Sequence, residues 1–563
     1  MRPDADRALT AVALALAWLA FIAFAASAAA RAARAAAALA SDALACALVV
    51  FPCACAIALA NARRMRAGAR AGETRRAEGG ADPLGEVATR GRRLCVVGAG
   101  ASGLCATRQA LRRGFDVRAY ERSDSVGGVW AYGHSSGKVF NNVIQNVTKM
   151  CNVFCDYPAV SSAPPYMGWE RTLEYLSGYC KCFNLEEYIE FNTEVVRVER
   201  DESTGEFEVT IADVRAQTSP EKERSVVHRI ERFDYVWVAS GQLTKPVMPD
   251  IPGLDTFFGT VIHSADYKVP TQFAEQNVLV IGLGSASGSD IAQELTWVAR
   301  SVSLSVRTER TIYSRGIRNG MASIINRISW IIPAWLGVVM FTYLDVYPVV
   351  HRPRPGVTDS GDLLTHIAHQ KIKRVGLVDR VQGCTVHFKD GTSGKYDAIV
   401  LATGFKREFN FMAKNLQPVE CGLFEDCILP TDPRVGYILF VLPFGSHWQL
   451  AELQAMLLAR VHDGTVPLPS RATMSKLANK FNLAGHHEHY GEYWKHKYLF
   501  ILAPYIFPKF ETLIRHPLIA LRIAWSPWIT PVGEWASDKD RTRYSAACGL
   551  GKVRWNGFRV NRW

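Results

Sequence analysis

The chain has 563 residues, of which 48% are hydrophobic and 21% charged, so it can bury several cores; wholesale disorder is excluded and the length favours about two to four domains. Its formal charge of +12 is uneven, because residues 1 to 93 hold 13 Arg against 7 acids, and the rest shows no basic stripe interleaved with aromatics that would suit nucleic acid. Thirteen Cys, an odd number scattered along the chain, are not the framework of a secreted disulfide scaffold and point to a reducing compartment.

Residues 1 to 60 contain 27 Ala, and no charge falls between Arg7 and Arg31 or between Asp42 and Arg63. Each stretch is long enough for a bilayer span of about 20 residues, so residues 1–62 are expected to form a helical membrane hairpin. A targeting segment competes, either an Ala/Arg-rich organellar peptide or a signal peptide cleaved near Ser27. Residues 63–92 read as a basic linker, with Arg63, Arg64, Arg66, Arg70, Arg75 and Arg76, and positive flanks stay cytoplasmic. The expectation is a membrane-anchored protein, at the endoplasmic reticulum, with its catalytic body facing the cytosol; the alternative is organelle targeting.

The run Arg93-Leu-Cys-Val-Val-Gly98-Ala-Gly100-Ala-Ser-Gly103 reads as an apolar strand, a G-x-G-x-x-G turn and the opening of an Ala-rich helix. Gly98 permits the turn, Gly100 lets a pyrophosphate approach the backbone, Gly103 lets helix pack on strand, and the helix N-terminus faces the anion. The next strand, Asp116 to Tyr120, ends in Glu121. An acid there accepts hydrogen bonds from ribose hydroxyls and suits a dinucleotide lacking a 2′-phosphate, such as FAD; a plain surface Glu is the competing reading.

A second such unit opens at Asn277-Val-Leu-Val-Ile-Gly282-Leu-Gly284-Ser-Ala-Ser287-Gly288-Ser289-Asp290. Its following strand, Ser301 to Val306, ends in Arg307, with Arg310 close behind. A planar cation beside the adenosine ribose suits a 2′-phosphate and so NADPH rather than NADH; a plain solvated strand-end Arg is the competing reading. Two dinucleotide turns in one chain imply electrons passing from NADPH to a flavin.

Two uncharged runs follow, Ile328 to Leu344 and Tyr498 to Pro508. A single crossing by the first would put the strands ending at Val306 and Leu401 on opposite sides of a membrane, so both runs are expected in protein core or at the membrane interface. Cys151 with Cys155, and Cys180 with Cys182, lack the spacing of a redox pair beside a flavin and read as plain thiols, and no metal-ligand spacing appears.

With these units in hand, the sequence from about Arg93 onward resembles the flavin-containing monooxygenases. Phe257-Phe-Gly259-Thr-Val-Ile-His263-Ser-Ala-Asp-Tyr267 fits that family's F-x-G-x-x-x-H-x-x-x-Y pattern at every fixed position. Around it stand Glu121-x5-Gly127-Gly128-Val129-Trp130, Asn146-Val-Thr-Lys149, Phe154-Cys-Asp156-Tyr-Pro158, Leu401-Ala-Thr403-Gly404-Phe405 and Glu452-Leu-Gln-Ala455. The ending Tyr267-Lys268 resembles the N- and S-oxygenating branch, whereas Baeyer-Villiger relatives carry Trp there.

The resemblance implies a cycle in which NADPH reduces FAD, O2 adds to give a C4a-hydroperoxyflavin, and a soft nitrogen or sulfur nucleophile takes the distal oxygen. It implies Asn146 as the catalytic residue, its amide donating at the flavin edge; Asn146-Val-Thr148 also fits a glycosylation sequon. Cofactor binding is expected of Gly98, Gly100, Ala101, Ser102, Gly103, Glu121, Gly128, Val129, Trp130, Gln145 and Asn146, and of Gly282, Gly284, Ser287, Gly288, Ser289, Asp290, Arg307, Thr403 and Gly404. His263 and Tyr267 are expected to brace the interdomain linker. Where the family has G-x-G-x-S-G, the run Gly282 to Gly288 is one residue longer, so the extra residue bulges from the turn or the helix starts later.

The expected architecture is α/β, with two Rossmann-like domains, the NADPH domain (271–394) inserted in the FAD domain (93–270 and 395–563, the latter including the substrate-pocket region). Alternatives to N- or S-oxygenation are a Baeyer-Villiger or 2-oxo-acid decarboxylating relative, and an uncoupled NADPH oxidase or flavin reductase. The partners expected are a small nitrogen- or sulfur-containing substrate, O2 and a membrane, with no nucleic acid and no metal.

Overall fold

The structure, a computed structural model, describes residues 92–478 apart from 148, 150–151, 155–156, 158, 160–161, 165, 216–227, 285–286, 308–310, 315–356, 361–362 and 442–446. The expected hairpin and linker, both long uncharged runs, Cys151, Cys155 and Arg310 lie outside the described residues. Among the described residues no helix is long and apolar enough to cross a membrane.

Two all-parallel five-stranded sheets organise this mixed α/β body. In the first, the strands run in the order Val435–Tyr437, Tyr235–Val238, Arg93–Val97, Asp116–Tyr120, Ile189–Glu190. Its central strands are continuous apolar runs because they are covered on both faces: Leu94, Cys95, Val96, Val236, Trp237 and Val238 are wholly buried. One cover is the helix Ala101–Arg112, which packs against the almost fully buried helix His447–His462. The other face meets an antiparallel sheet formed by Thr193–Arg200, Phe207–Asp213 and His228–Phe233, whose Val198, Phe207, Val209 and Phe233 share a core with Cys95, Val97 and Val236.

The second sheet runs in the order Ile372–Val375, Ser301–Ser305, Asn277–Ile281, Ala398–Leu401, Thr260–His263. Its helix Gly288–Leu295 buries Ile291, Ala292 and Leu295 against Val278, Val280 and Val302. A small antiparallel sheet, Val378–Gln382, Thr385–Phe388 and Ser393–Lys395, caps the opposite face through Val381, Val386 and Phe388.

Sheet membership moves two expected boundaries. Thr260–His263 precedes position 270 and Ala398–Leu401 follows position 395, yet both pair within the second sheet, and Leu401 stands in register with both Ile281 and His263. The physical reason is that the strand beside Asn277–Ile281 comes from a segment far along the chain, which no local pattern encodes.

Candidate functional site

The two glycine turns are built alike. In the first sheet the Gly98 N–H donates to Tyr120 O at 2.8 Å and the Ala239 N–H to Val97 O at 2.9 Å. In the second the Gly282 N–H donates to Ser305 O at 2.9 Å and the Ala402 N–H to Ile281 O at 2.8 Å. Each strand thus runs into a glycine at positive φ, +102° for Gly98 and +109° for Gly282, backed by a carbonyl of the neighbouring strand's end. A Cβ on Gly98 would stand 2.8 Å from Ala239 O, and one on Gly282 2.3 Å from Ala402 O. No side chain fits at either.

Helix approach repeats the pattern. A Cβ on Gly103 would fall 1.8 Å from Gly98 O, and one on Gly288 2.2 Å from Gly282 O, so Gly288 holds the place that Gly103 holds in the first turn. The helix after Gly98 begins at Ala101, whereas the one after Gly282 begins at Gly288, behind Ser287. The longer turn is therefore accommodated by a later helix start. Ser289 lies fully buried on the first turn of that helix, its Oγ without a partner among the described residues, while Asp290 is half-buried.

Around the first turn the chain folds back on itself. The Ala99 N–H donates to Glu121 Oε2 at 2.7 Å, and Glu121 Oε1 accepts from the Ser123 N–H at 2.8 Å and the Ser136 hydroxyl at 3.0 Å. Glu121 is 5% exposed, so this carboxylate holds the loop together as well as standing at the strand end where a ribose is expected. The Gly127 N–H donates to Ala99 O at 3.2 Å, and a Cβ on Gly128 would stand 3.0 Å from Gly100 Cα. Two bare glycine backbones thus face each other at the N-terminus of the helix bearing Ala101 and Ser102, a cradle that admits a phosphate but no side chain. Val129 and Trp130 continue that short turn, half-buried.

The loop bearing Gln145 and Asn146 is fixed by the helix Trp169–Cys182. The Gln145 N–H donates to Met167 O at 2.9 Å and its Nε2 to the Thr172 hydroxyl at 2.9 Å, whose own proton goes to Gly168 O at 2.7 Å. That arrangement leaves Gln145 Oε1 buried with no partner among the described residues, an acceptor fit for a bound group. Asn146 follows, half-buried. The same helix presents Leu173 to Gly127, which brings the Gln145–Asn146 loop to the Gly127–Trp130 turn. Cys180 and Cys182 lie buried on this helix as thiols, and burial pushes the Cys180 pKa up to about 12.

Thr403 and Gly404 leave the second sheet beside Gly282. The Thr403 hydroxyl donates to Val247 O at 2.5 Å. His263 Nδ1 accepts from the Ala265 N–H at 3.1 Å, so its Nε2–H donates to Gly404 O, also at 3.1 Å. Burial holds this imidazole below the usual histidine range, and its neutral ring ties the two chain crossings together. Gly284 is open: among the described residues a Cβ there would meet only Ser287 Oγ, at 3.9 Å. Arg307 is exposed two residues past the strand Ser301–Ser305, one position beyond the place that Glu121 takes directly after Asp116–Tyr120, which Val306 occupies here.

Sequence reasoning missed Ala239-Ser240-Gly241. Following the strand Tyr235–Val238, it does for Gly98 what Ala402-Thr403-Gly404 does for Gly282, with Gly241 and Gly404 at φ +85° and +87°, and Ser240 Oγ is buried without a partner among the described residues. The signal was present: an apolar strand followed by A-S-G mirrors the A-T-G that was singled out. Glu294 and Asn142 were missed too; a Glu between Ile291 and Leu295 stands on the apolar face of its helix, where a carboxyl needs a partner.

A model of the flavin-binding monooxygenase-like family matches residues 91–498. Flavin-containing monooxygenase 5 of Oryctolagus cuniculus is 30% identical over 444 residues, covering 72% of this chain and 81% of its own length. Dimethylaniline monooxygenase (N-oxide-forming) 2 of Mus musculus is 29% identical over 424 residues, covering 68% and 75%. Among solved structures, the S-allyl-L-cysteine S-oxygenase from Allium sativum superposes with a TM-score of 0.55 at 20% identity, covering 82% of this chain and 99% of its own.

Proposed function

Because the chain belongs to the flavin-binding monooxygenase-like family, we propose that it transfers one atom of O2 to a soft nitrogen or sulfur nucleophile of a small molecule. It is an NADPH-dependent flavoprotein oxidoreductase whose cofactors are FAD and NADPH. When bound, the nicotinamide supplies a hydride and the flavin activates dioxygen, while the protein supplies position and hydrogen bonds.

The observation that carries this reading is the duplication of the glycine turn, once with Glu121 and once with Arg307 past the next strand. On this reading the cradle of Gly98, Gly100, Ala101, Ser102, Gly103 and Gly128 holds the FAD pyrophosphate, and Glu121 orients its ribose. Gly282, Gly284, Ser287, Gly288, Ser289 and Asp290 surround the NADPH pyrophosphate, and the Arg307 guanidinium meets the 2′-phosphate bidentately. Val129, Trp130 and Gln145 border the flavin, and Thr403 with Gly404 borders the junction of the two sites. On the same reading Asn146 would donate its amide N–H where oxygen is handled, where a charge-assisted hydrogen bond favours negative charge on oxygen.

Nitrogen as acceptor is supported by the N-oxide-forming mouse relative, and Tyr267-Lys268 supports the N- and S-oxygenating branch. Membrane anchoring through residues 1–62, catalytic body toward the cytosol, belongs to the same proposal and rests on the two uncharged stretches and the following Arg cluster.

Purified protein incubated with NADPH, O2 and a panel of tertiary amines, thioethers and ketones tests the reading, with product identified by mass and NADPH consumed compared with peroxide released. N-oxides or S-oxides formed in step with NADPH support it. Esters from ketones indicate a Baeyer-Villiger enzyme, and stoichiometric peroxide without oxygenated product indicates an oxidase.

A further inference from the structure

We propose that Glu294 is a positioning residue that fastens the helix Gly288–Leu295 to the loop carrying Gln145 and Asn146, so that NADPH oxidation and oxygen transfer stay coupled. The inference rests on the monooxygenase reading above and adds to it a residue outside both glycine turns.

Glu294 is 3% exposed, in a helix whose neighbouring buried positions are Ile291, Ala292 and Leu295. A carboxyl is costly there unless donors meet it. One does: the fully buried Tyr267 hydroxyl donates to Glu294 Oε1, and the Asn142 side chain stands near the same carboxyl. Burial draws the Glu294 pKa above the usual carboxyl range, and Asp290 one turn earlier adds to the rise.

Tyr267 leads from Glu294 to the segment Gly137 to Val143. Tyr267 is locked by stacking on Phe273 at 5.7 Å and by an edge contact with Phe140 at 5.6 Å. Beside it the Asn141 N–H donates to Lys268 O at 2.8 Å, and Lys268 Nζ donates to Gly137 O and Val139 O at 3.3 and 3.2 Å. The segment from Gly137 to Val143 is thus bound to the Tyr267–Lys268 crossing, and Phe140 and Val143 pack in the second sheet's core. Gln145, fixed by Met167 and Thr172, comes two residues later. A displacement of the nucleotide helix by a fraction of an ångström therefore reaches the Gln145–Asn146 loop through the Tyr267–Glu294 and Asn141–Lys268 hydrogen bonds rather than through a flexible loop. The helix that opens with the NADPH turn and the loop that borders the flavin share one carboxyl.

The test uses the full-length holoenzyme and measures peroxide released per NADPH, together with KM and kcat. Glu294→Leu keeps the volume and removes both acceptors. It is expected to keep its FAD and a near-wild-type KM for NADPH while the peroxide fraction rises about tenfold, the factor one buried hydrogen bond commands. Tyr267→Phe and Asn142→Ala shift the fraction the same way, and Asn142, being exposed, removes any question of folding. Glu294→Gln, which keeps an acceptor for the Tyr267 hydroxyl, restores most of the coupling. Unchanged peroxide fractions in Tyr267→Phe and Asn142→Ala, or a Glu294→Gln no better than Glu294→Leu, overturn this inference alone. A wild-type enzyme that gives only peroxide overturns the monooxygenase reading along with it.

Discussion

Gly288→Ala separates the two nucleotide sites in one substitution. The new Cβ would stand 2.2 Å from Gly282 O, 3.0 Å from Gly282 C and 3.1 Å from the Ala402 Cβ. All but the last are backbone atoms, so no rotamer change relieves the contact, and the helix start or the turn must retreat by about 1 Å to reach ordinary contact distance. Overpacking of this kind costs about 1 to 3 kcal/mol. On the proposed assignment that cost falls on the turn that meets the NADPH pyrophosphate, so KM for NADPH is expected to rise about 5- to 150-fold. The Gly98–Gly103 turn is untouched, and the purified variant should remain yellow with stoichiometric FAD. Absorbance of the bound flavin and an NADPH titration under air give the two numbers. Gly284→Ala is the companion variant, because among the described residues its Cβ meets only Ser287 Oγ, at 3.9 Å: the fold should tolerate it while the approach of a pyrophosphate is blocked. Loss of FAD from Gly288→Ala with an unaltered KM, or a Gly284→Ala enzyme that binds NADP+ as well as wild type, would refute the assignment of this turn.

Arg307→Ala should raise KM for NADPH about 10- to 150-fold, the value of a charge-assisted pair, with KM for NADH nearly unchanged; equal loss for both nucleotides removes Arg307 from the 2′-phosphate. Asn146→Ser should leave anaerobic flavin reduction by NADPH intact and increase peroxide release under air, whereas equal loss of both half-reactions, seen by stopped-flow absorbance, would make Asn146 structural. His462 gives a pH prediction. Trp237 Nε1–H donates to its Nδ1 at 3.0 Å and its Nε2–H donates to Pro433 O at 2.8 Å, so the folded ring is neutral, and burial draws its pKa down to about 4. An unfolded histidine takes its proton near pH 6.5, so this stabilisation is complete above that pH and is lost as pH falls toward 4, up to about 3 kcal/mol in all. Tm should therefore drop from pH 7 to pH 5, and less so in His462→Gln; parallel Tm curves would dismiss this residue as the cause.

Local chemistry was legible where it repeats within a few residues. The strand, the glycine turn and the helix opening are contiguous in Arg93 to Gly103 and in Asn277 to Gly288, and Glu121 and Arg307, proposed for the ribose side, each follow the next strand, so spacing alone singles them out. The later helix start at Gly288 answers a question the sequence could only pose. What stayed hidden lies between distant segments. Ala239 and Ala402 each close a glycine turn, but only sheet order says which strand end faces which glycine. The meeting of Tyr267 with Glu294, near Asn142, joins three segments; Tyr267 stands in a recognisable pattern, but Glu294 and Asn142 read alone as ordinary helix and loop. Glu121 shows a third kind of gap: its three acceptor contacts with Ala99, Ser123 and Ser136 are a structural task that a motif never records.

The placement of Ala398–Leu401 between Asn277–Ile281 and Thr260–His263 has a consequence for biosynthesis. About 130 residues separate Thr260–His263 from the strand it pairs with, and at about 5 to 20 residues per second the ribosome needs on the order of ten seconds to deliver it. Throughout that interval Thr260–His263 has no neighbour in its sheet, and Asn277–Ile281 shows an open edge of the kind that pairs with the wrong chain. The nascent enzyme thus passes through a vulnerable stage that ends only when a strand slides into the interior of a sheet already begun. A polypeptide halted at position 394 would never leave that stage, and its Gly282 turn would lack the Ala402 carbonyl that backs it.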